Sequence, residues 1–216
     1  MKKRGRLVRN LTTVLSGFRP ASLAFAPFFL LSCQLPALPS PSQSALNFAQ
    51  TNNLQAVRIP AEGFSILALY KPGPTRKKIL SIYIEGDGLA WRNRWKVSDD
   101  PTPKDLLVLK MMVQDPSPNK LYLGRPCQHA QTKKPACHSQ YWTSHRLAPI
   151  TVAAMNQAID TMKQRLGAER IVLIGYSGGG SMATLLAAIR SDVGNGRPVF
   201  WSGHVGKAAP DIVCLG

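Results

Sequence analysis

Short apolar runs separated by polar turns begin near residue 55 and continue to about residue 190. The runs 56–59 and 64–70 predict an antiparallel pair of strands, because Pro60 and Gly63 mark a turn between them. The nearly continuous apolar run 78–85 predicts a buried central strand. The folded part of the chain is therefore expected to open with β structure.

Helical periodicity appears in the second half of the chain. Apolar residues recur on one face from Pro149 to Leu166 and Gly167 follows, which predicts an amphipathic helix. An apolar strand, 170–174, and an Ala-rich buried helix, 178–189, come next, and two shorter elements are expected before them, a helix at 105–113 and a strand at 120–124. Alternating strands and helices predict a three-layer α/β fold with a mostly parallel sheet over residues 55–216.

Residues 1–32 have the composition of a targeting segment. Basic side chains extend to Arg19, and the apolar run 21–32 that follows is too short to span a bilayer as a helix. This order is typical of a secretory signal, although an uncleaved anchor is the alternative. Residues 30–33, Leu-Leu-Ser-Cys, resemble a bacterial lipobox, in which the cysteine is lipidated and becomes the first mature residue.

Lipidation of Cys33 would anchor the protein to a membrane of the bacterial envelope, facing the periplasm or the exterior, because two or more acyl chains give stable attachment. An ordinary signal peptide with a chance cysteine is the alternative. Residues 33–54 are rich in Pro, Ser, Gln and Asn and poor in charge. Their composition predicts a flexible tether between the membrane and the domain.

The net charge is strongly positive, at +16 from 27 basic and 11 acidic residues. Six basic residues and no acidic one lie before residue 33, so the remainder keeps a charge of +10. Such a surface would suit nucleic acid, anionic lipid or acidic envelope polymers. Since no basic–aromatic recognition pattern for nucleic acid is evident, we expect no nucleic-acid partner. The oligomeric state has no signal in the sequence.

Cys127 and Cys137 enclose a polar, basic loop, which favours a short disulfide in an oxidising compartment. A zinc site formed with His129 and His138 is one alternative, although the spacing is not that of structural zinc sites. Two unpaired thiols are the other alternative. Cys214 has no evident partner, and we expect neither a metal nor a cofactor.

Residues 175–179, Gly-Tyr-Ser-Gly-Gly, match the G-x-S-x-G pattern, with an apolar strand before them and an apolar helix after them. A serine hydroxyl is a poor nucleophile unless it is exposed and positioned against a base. A sharp turn from strand to helix exposes Ser177, and the helix N-terminus directs amide N–H groups at a developing oxyanion. A glycine-rich turn without catalysis is the alternative.

A second signal is the strand that ends at Gly86-Asp87-Gly88. In α/β-hydrolases the loop after an earlier central strand supplies the second amide of the oxyanion hole. The two glycines would allow the close backbone approach that this role needs. An ordinary strand-end turn is the alternative, since Asp and Gly are common turn residues.

Together these motifs resemble bacterial α/β-hydrolase lipoproteins of poorly defined substrate. The resemblance rests on the lipobox, the Gly-Asp-Gly strand end, the cysteine-bounded loop before Tyr141-Trp142, the long helix and the Gly-Tyr-Ser-Gly-Gly-Gly run, and it covers about residues 55–200. It implies Ser177 as nucleophile, the Gly178 amide in the oxyanion hole and the Asp87–Gly88 turn as the second donor. It implies hydrolysis of a small-molecule or lipid ester.

The pattern departs from that family after the serine. An acid and then a histidine should follow, yet the 39 residues after Ser177 contain Asp192, His204 and Asp211 without clear periodicity beyond residue 201. This predicts a truncated or frameshifted chain that lacks the acid, the base and one side of the sheet, and is inactive for that reason. The alternative function is a noncatalytic lipoprotein whose basic surface binds an anionic envelope component.

Overall fold

The computed structural model describes residues 38–216 except 72, 74–77, 131–136, 195–198, 202–212 and 215–216. The elements in chain order are α1 (Pro41–Thr51), β1 (Gln55–Ala61), β2 (Phe64–Lys71), β3 (Ile79–Ile84), β4 (Trp91–Asn93), β5 (Lys96–Val97), α2 (Leu107–Gln114), β6 (Lys120–Leu123), a 3-10 turn (Ser139–Trp142), α3 (Pro149–Leu166), β7 (Arg170–Tyr176), α4 (Gly178–Ile189), β8 (Val199–Trp201) and β9 (Val213–Cys214). Predicted signal residues 1–32 and Cys33 lie outside the described residues.

One mixed sheet contains seven of the described strands, in the order β1-β2-β6-β3-β7-β8-β9. At its centre the four strands β6, β3, β7 and β8 run parallel to one another. Strands β1 and β2 on one side and β9 on the other are joined to them through antiparallel pairs. Ile84 pairs with Gly175, so β3 and β7 end side by side. The loops after these two strands therefore leave the sheet at the same edge.

Helices cover both faces of the sheet, because alternate residues of its strands point to opposite sides. Ile82 and Ile84 belong to a core shared with α3 and α4, while Tyr83 belongs to a second core shared with α1 and α2. The expected α/β class with three layers is thereby confirmed. Among the described residues, no helix has the length and apolar character needed to cross a bilayer.

Helix α1 corrects the prediction of a flexible tether over residues 33–54, which is wrong for Pro41–Thr51. Ser40 caps the helix by accepting a hydrogen bond from the Gln43 amide at 3.2 Å, and Pro41 occupies the first turn. Ala45 and Ala49 are buried against the sheet. Composition suggested a linker, whereas the cap and the two small apolar residues one turn apart specify a docked helix.

Candidate active site

Ser177 occupies the turn between β7 and α4, at the carboxyl edge of the central strands. Its φ of 50° and ψ of −121° are unusual for a residue with a side chain, and the residue is exposed. Such strained backbone is expected in a strand–turn–helix nucleophile elbow, where the turn lifts the serine away from the sheet. The described geometry thus places a serine hydroxyl at the surface beside the first turn of α4.

The glycines after Ser177 are required by close packing. A Cβ on Gly179 would lie 2.3 Å from the carbonyl oxygen of Ile84 and 2.5 Å from that of Glu85. A Cβ on Gly178 would lie 2.2 Å from Asp87 Oδ1 and 2.6 Å from Arg125 Nη1. The first turn of α4 can therefore approach the end of β3 only because these positions carry no side chain.

Gly178, Asp87 and Gly88 are expected to form an oxyanion hole, and they have different surroundings in the structure. Asp87 lies beside Gly178, where α4 begins and its first amides have no intrahelical acceptor. Gly88, at φ 61°, instead lies against Pro101, whose carbonyl accepts a hydrogen bond from the Leu89 amide at 3.1 Å. The structure therefore associates Asp87 more closely than Gly88 with the start of α4.

Two arginines hold the Asp87 side chain. Arg125 Nη1 donates to Asp87 Oδ1 at 2.6 Å, and Arg146 Nε lies 3.5 Å from the same oxygen. Arg125 is buried and its other terminal nitrogen donates to the Arg146 carbonyl at 3.1 Å. Burial lowers the pKa of Arg125, and the attraction of Asp87 opposes that effect. With two cations around one carboxylate, a positive charge remains beside the turn.

A buried segment after β6 supports the Gly86–Gly88 loop from behind. Gln128 Nε2 donates to the Gly86 carbonyl at 2.8 Å, and Gln128 Oε1 accepts from the Arg125 amide at 2.9 Å. Cys127, at φ 70°, is joined to Cys137 in a disulfide with a Cα–Cα distance of 5.3 Å. The sequence did not reveal the supporting roles of Arg125, Arg146 and Gln128, because single polar residues in loops belong to no motif.

The disulfide removes two ligands of the zinc site considered as an alternative. Both sulfurs of Cys127 and Cys137 are bonded to each other, so neither is available as a thiolate. His129 is fully buried and contacts Tyr122, whereas His138 is exposed. No group of three or more metal-binding side chains occurs among the described residues.

A buried polar chain follows the end of β3. Tyr122 Oη donates to Glu85 Oε2 at 3.0 Å and lies 3.0 Å from His129 Nε2, while Glu85 Oε1 accepts from the Gly86 amide at 2.9 Å. Burial raises the pKa of Glu85 to about 7 and lowers the pKa of His129 to about 4. The carboxyl that precedes the Gly86–Gly88 loop is therefore easily protonated near neutral pH.

Of the residues after Ser177 that were considered as triad partners, Asp192 is described in the structure, and it does not lie beside Ser177. Val193 bridges to Ile171 at the amino end of β7, which places the adjacent Asp192 at the opposite end of that strand from Ser177. Asp192 is bound there by Arg190 and Lys163. His204 and Asp211 lie outside the described residues.

His145 is exposed between Ser144 and Arg146, with Nδ1 2.8 Å from Ser144 Oγ. A cavity of about 630 Å³ adjoins this loop and Asp87. Its walls are apolar at Ala90, Trp91 and Trp142 and polar at Asp87, Thr143, Ser144 and Arg146. The site region therefore contains a cavity whose lining combines aromatic side chains with polar groups, Arg146 among them.

Comparison with known proteins gives only remote structural likeness. No protein-family model matches the sequence, and no curated protein matches it. An esterase from Pyrobaculum calidifontis is 15% identical with a TM-score of 0.42, over 69% of this chain and 45% of the esterase. A Pyrococcus furiosus esterase is 12% identical with a TM-score of 0.44, over 65% of this chain and 46% of that esterase. A membrane phospholipase A, described as a bacterial virulence factor, is 18% identical with a TM-score of 0.41, over 71% of this chain and 43% of the phospholipase.

The chain spans less than half the length of each of these three proteins. At such identities the likeness concerns the fold alone.

Proposed function

We propose that this chain is a serine hydrolase for ester bonds, with Ser177 as the nucleophile. The observation that supports the proposal best is the exposed Ser177 at φ 50° between a central strand and the N-terminus of α4. Acyl transfer requires an accessible hydroxyl and donors already oriented toward the developing oxyanion. A strained turn that ends at a helix N-terminus supplies both.

The amide of Gly178 and an amide of the Asp87–Gly88 turn are the proposed oxyanion donors. The Asp87 side chain lies close to Gly178, because a Cβ on Gly178 would come within 2.2 Å of Asp87 Oδ1. The carboxylate of Asp87 would by itself disfavour a second negative charge nearby. Pairing with Arg125 and Arg146 offsets that repulsion and leaves one excess positive charge at the site.

The general base has to come from outside the described residues. Each described histidine is engaged elsewhere, His129 with Tyr122, His138 with the Gln140 amide and His145 with Ser144. A serine without its base keeps only the contributions of substrate binding and the oxyanion hole. We therefore propose that activity depends on whether a histidine outside the described residues reaches Ser177, and that a chain without one is inactive.

A fluorophosphonate probe tests the proposal, because it modifies only an activated serine. We expect labelling of the protein, loss of labelling in Ser177→Ala, and retention in Ser181→Ala, a serine one turn along the same helix. Absence of labelling in a folded full-length protein would contradict the hydrolase. Binding of that protein to an acidic envelope polymer would then favour the noncatalytic alternative.

We also propose that Cys33 carries lipid and anchors the protein to a bacterial envelope membrane. The support is its position after a basic segment and an apolar run. Growth with an alkyne-bearing fatty acid, followed by click detection, should label the protein and not its Cys33→Ala variant. A labelled Cys33→Ala protein, or an unlabelled parent recovered in the soluble fraction, would overturn this assignment.

A further inference from the structure

The β4–β5 hairpin exposes large aromatic side chains. Trp95 is 85% exposed and Trp91 is 48% exposed. Asn93 Oδ1 accepts from the amides of Trp95 and Lys96, each at 2.9 Å, so the turn that carries them is fixed by its own hydrogen bonds. Exposed tryptophans on an ordered turn indicate a contact surface more than a loosely packed loop.

The hairpin also carries basic side chains among its tryptophans. Arg92 pairs with Asp99 at 2.6 Å, while the Arg94 guanidinium lies 5.5 Å from the centre of the Trp95 ring. Lys96 is exposed and has no acidic partner among the described residues. Charged groups nearby are Lys104, which shares a cavity with Arg92, and Asp100, which accepts from the Thr102 amide. Cations therefore outnumber carboxylates on this face.

The start of the described domain lies next to this hairpin. Pro41, the first residue of α1, and Arg92 line one cavity of about 440 Å³. Eight residues of chain lead from Cys33 to Pro41, so the two are separated by at most about 28 Å. Leu38, three residues before Pro41, is 94% exposed. A lipid on Cys33 would thus hold the hairpin face within reach of the membrane.

We propose that the β4–β5 hairpin contacts an anionic bilayer, with Trp91 and Trp95 at the level of the headgroups and Arg94 and Lys96 facing lipid phosphates. The choice of a membrane as the partner rests on the proposed lipidation of Cys33. Tryptophan favours the membrane–water interface, and each basic residue near an anionic leaflet strengthens binding by about fivefold. Trp91 also lines the cavity beside Asp87, so contact would bring that cavity to the bilayer surface.

Vesicle binding tests the proposal with the full chain carrying Cys33→Ser, which excludes acylation. Vesicles of phosphatidylcholine with one quarter phosphatidylglycerol should bind the protein more tightly than pure phosphatidylcholine. Brominated lipid should quench tryptophan emission, and Trp95→Phe should remove much of the quenched component. Arg94→Ala/Lys96→Ala should weaken partitioning by at least tenfold at low salt and by less at high salt.

Arg165→Ala/Arg170→Ala is the matched control, because it removes two exposed basic side chains elsewhere. Its partitioning should stay within twofold of the parent, and residues 1–32 contribute equally to every variant. Ser177→Ala should bind vesicles like the parent, which separates this test from that of the hydrolase. Unchanged partitioning of folded Arg94→Ala/Lys96→Ala, or a response of Trp95 to a soluble acidic polymer and not to vesicles, would overturn the proposal.

Discussion

Arg125 Nη1 donates to Asp87 Oδ1 across 2.6 Å, and the same oxygen occupies the space where a Cβ of residue 178 would lie. This contact joins the loop after β3, the segment after β6 and the first turn of α4. The glycine motif around Ser177 is thus packed against an ion pair that no motif contains. Substitution in the Arg125–Asp87 ion pair should therefore disturb the first turn of α4, and substitution of Gly178 should disturb the ion pair.

Arg125→Met should destabilise the fold by about 2 kcal/mol, because it leaves the half-buried Asp87 carboxylate with only Arg146 as a partner. Urea unfolding measures the change. Arg125→Lys should recover part of it, since the charge returns without the hydrogen bond to the Arg146 carbonyl. In a double-mutant cycle with Asp87→Asn, the double variant should lose less than the sum of the single losses; simple additivity would show that the pair is not coupled.

Gly179→Ala should destabilise the protein by about 3 kcal/mol or prevent folding, because its Cβ would meet two backbone carbonyls of the β3 end that cannot move aside. Gly178→Ala should cost less, since it meets the ends of two side chains. It should nevertheless reduce fluorophosphonate labelling by displacing Asp87. Ser181→Ala is the control, and equal stability of the two glycine variants would contradict the described packing.

Much of the sheet was predictable because its strands are short apolar runs bounded by turn residues. Helix α3 has the bounds that the periodicity predicts, from Pro149 to Leu166, with Gly167 at φ 63° after it. The strand before Ser177 extends two residues beyond the prediction, to Tyr176. Periodicity and turn chemistry depend on residues close together in the chain, so they can be recognised from the sequence alone.

The surroundings of Ser177 were less predictable. The roles of Arg125 and Gln128 arise from contacts between residues 38 and 42 positions apart, which no local pattern encodes. Helix α1 was mistaken for a tether because its composition is that of a linker, although Ser40 and Pro41 form an ordinary helix start. The linker-like composition thus concealed a helix that the local start signals, Ser40 and Pro41, specify.

Reduction of the Cys127–Cys137 disulfide should lower the free energy of unfolding by about 3 kcal/mol, because the bond closes a loop with a sequence separation of 10. Thermal unfolding with and without reductant measures this in a Cys33→Ser/Cys214→Ser background. We expect weaker protection of the Gly86 amide from hydrogen exchange as well, since the bonded segment supports that loop through Gln128. Equal stability in the oxidised and reduced states would contradict a structural role.

Glu85 and His129 should make opposite contributions to the pH dependence of stability. The pKa of Glu85 is raised by burial to about 7, so its contribution is present in full below the unfolded pKa and is lost as pH rises toward 7. The pKa of His129 is lowered by burial to about 4, so its contribution is present above about 6.5 and is lost as pH falls toward 4. Each amounts to about 3 kcal/mol and largely offsets the other.

Single substitutions should separate the two contributions. Relative to the parent, Glu85→Gln should lose stability as pH falls from 6.5 to 4, because only the His129 contribution remains. His129→Gln should gain stability as pH falls from 7 to 4.5. Urea unfolding across this pH range measures both slopes as differences from the parent. Parallel curves for the parent and both variants would exclude a coupled buried pair.

Asp192→Asn should destabilise the protein by about 2 kcal/mol at neutral pH and leave fluorophosphonate labelling of Ser177 intact. Hydrogen bonds from Arg190 and Lys163 lower the pKa of Asp192 to about 2. The stability from this ionised carboxylate is therefore present above the unfolded pKa, near 4, and is lost as pH falls through about 2. Labelling should persist because Asp192 lies at the amino end of β7, whereas Ser177 follows its carboxyl end. A folded Asp192→Asn protein without labelling would make Asp192 part of the catalytic machinery.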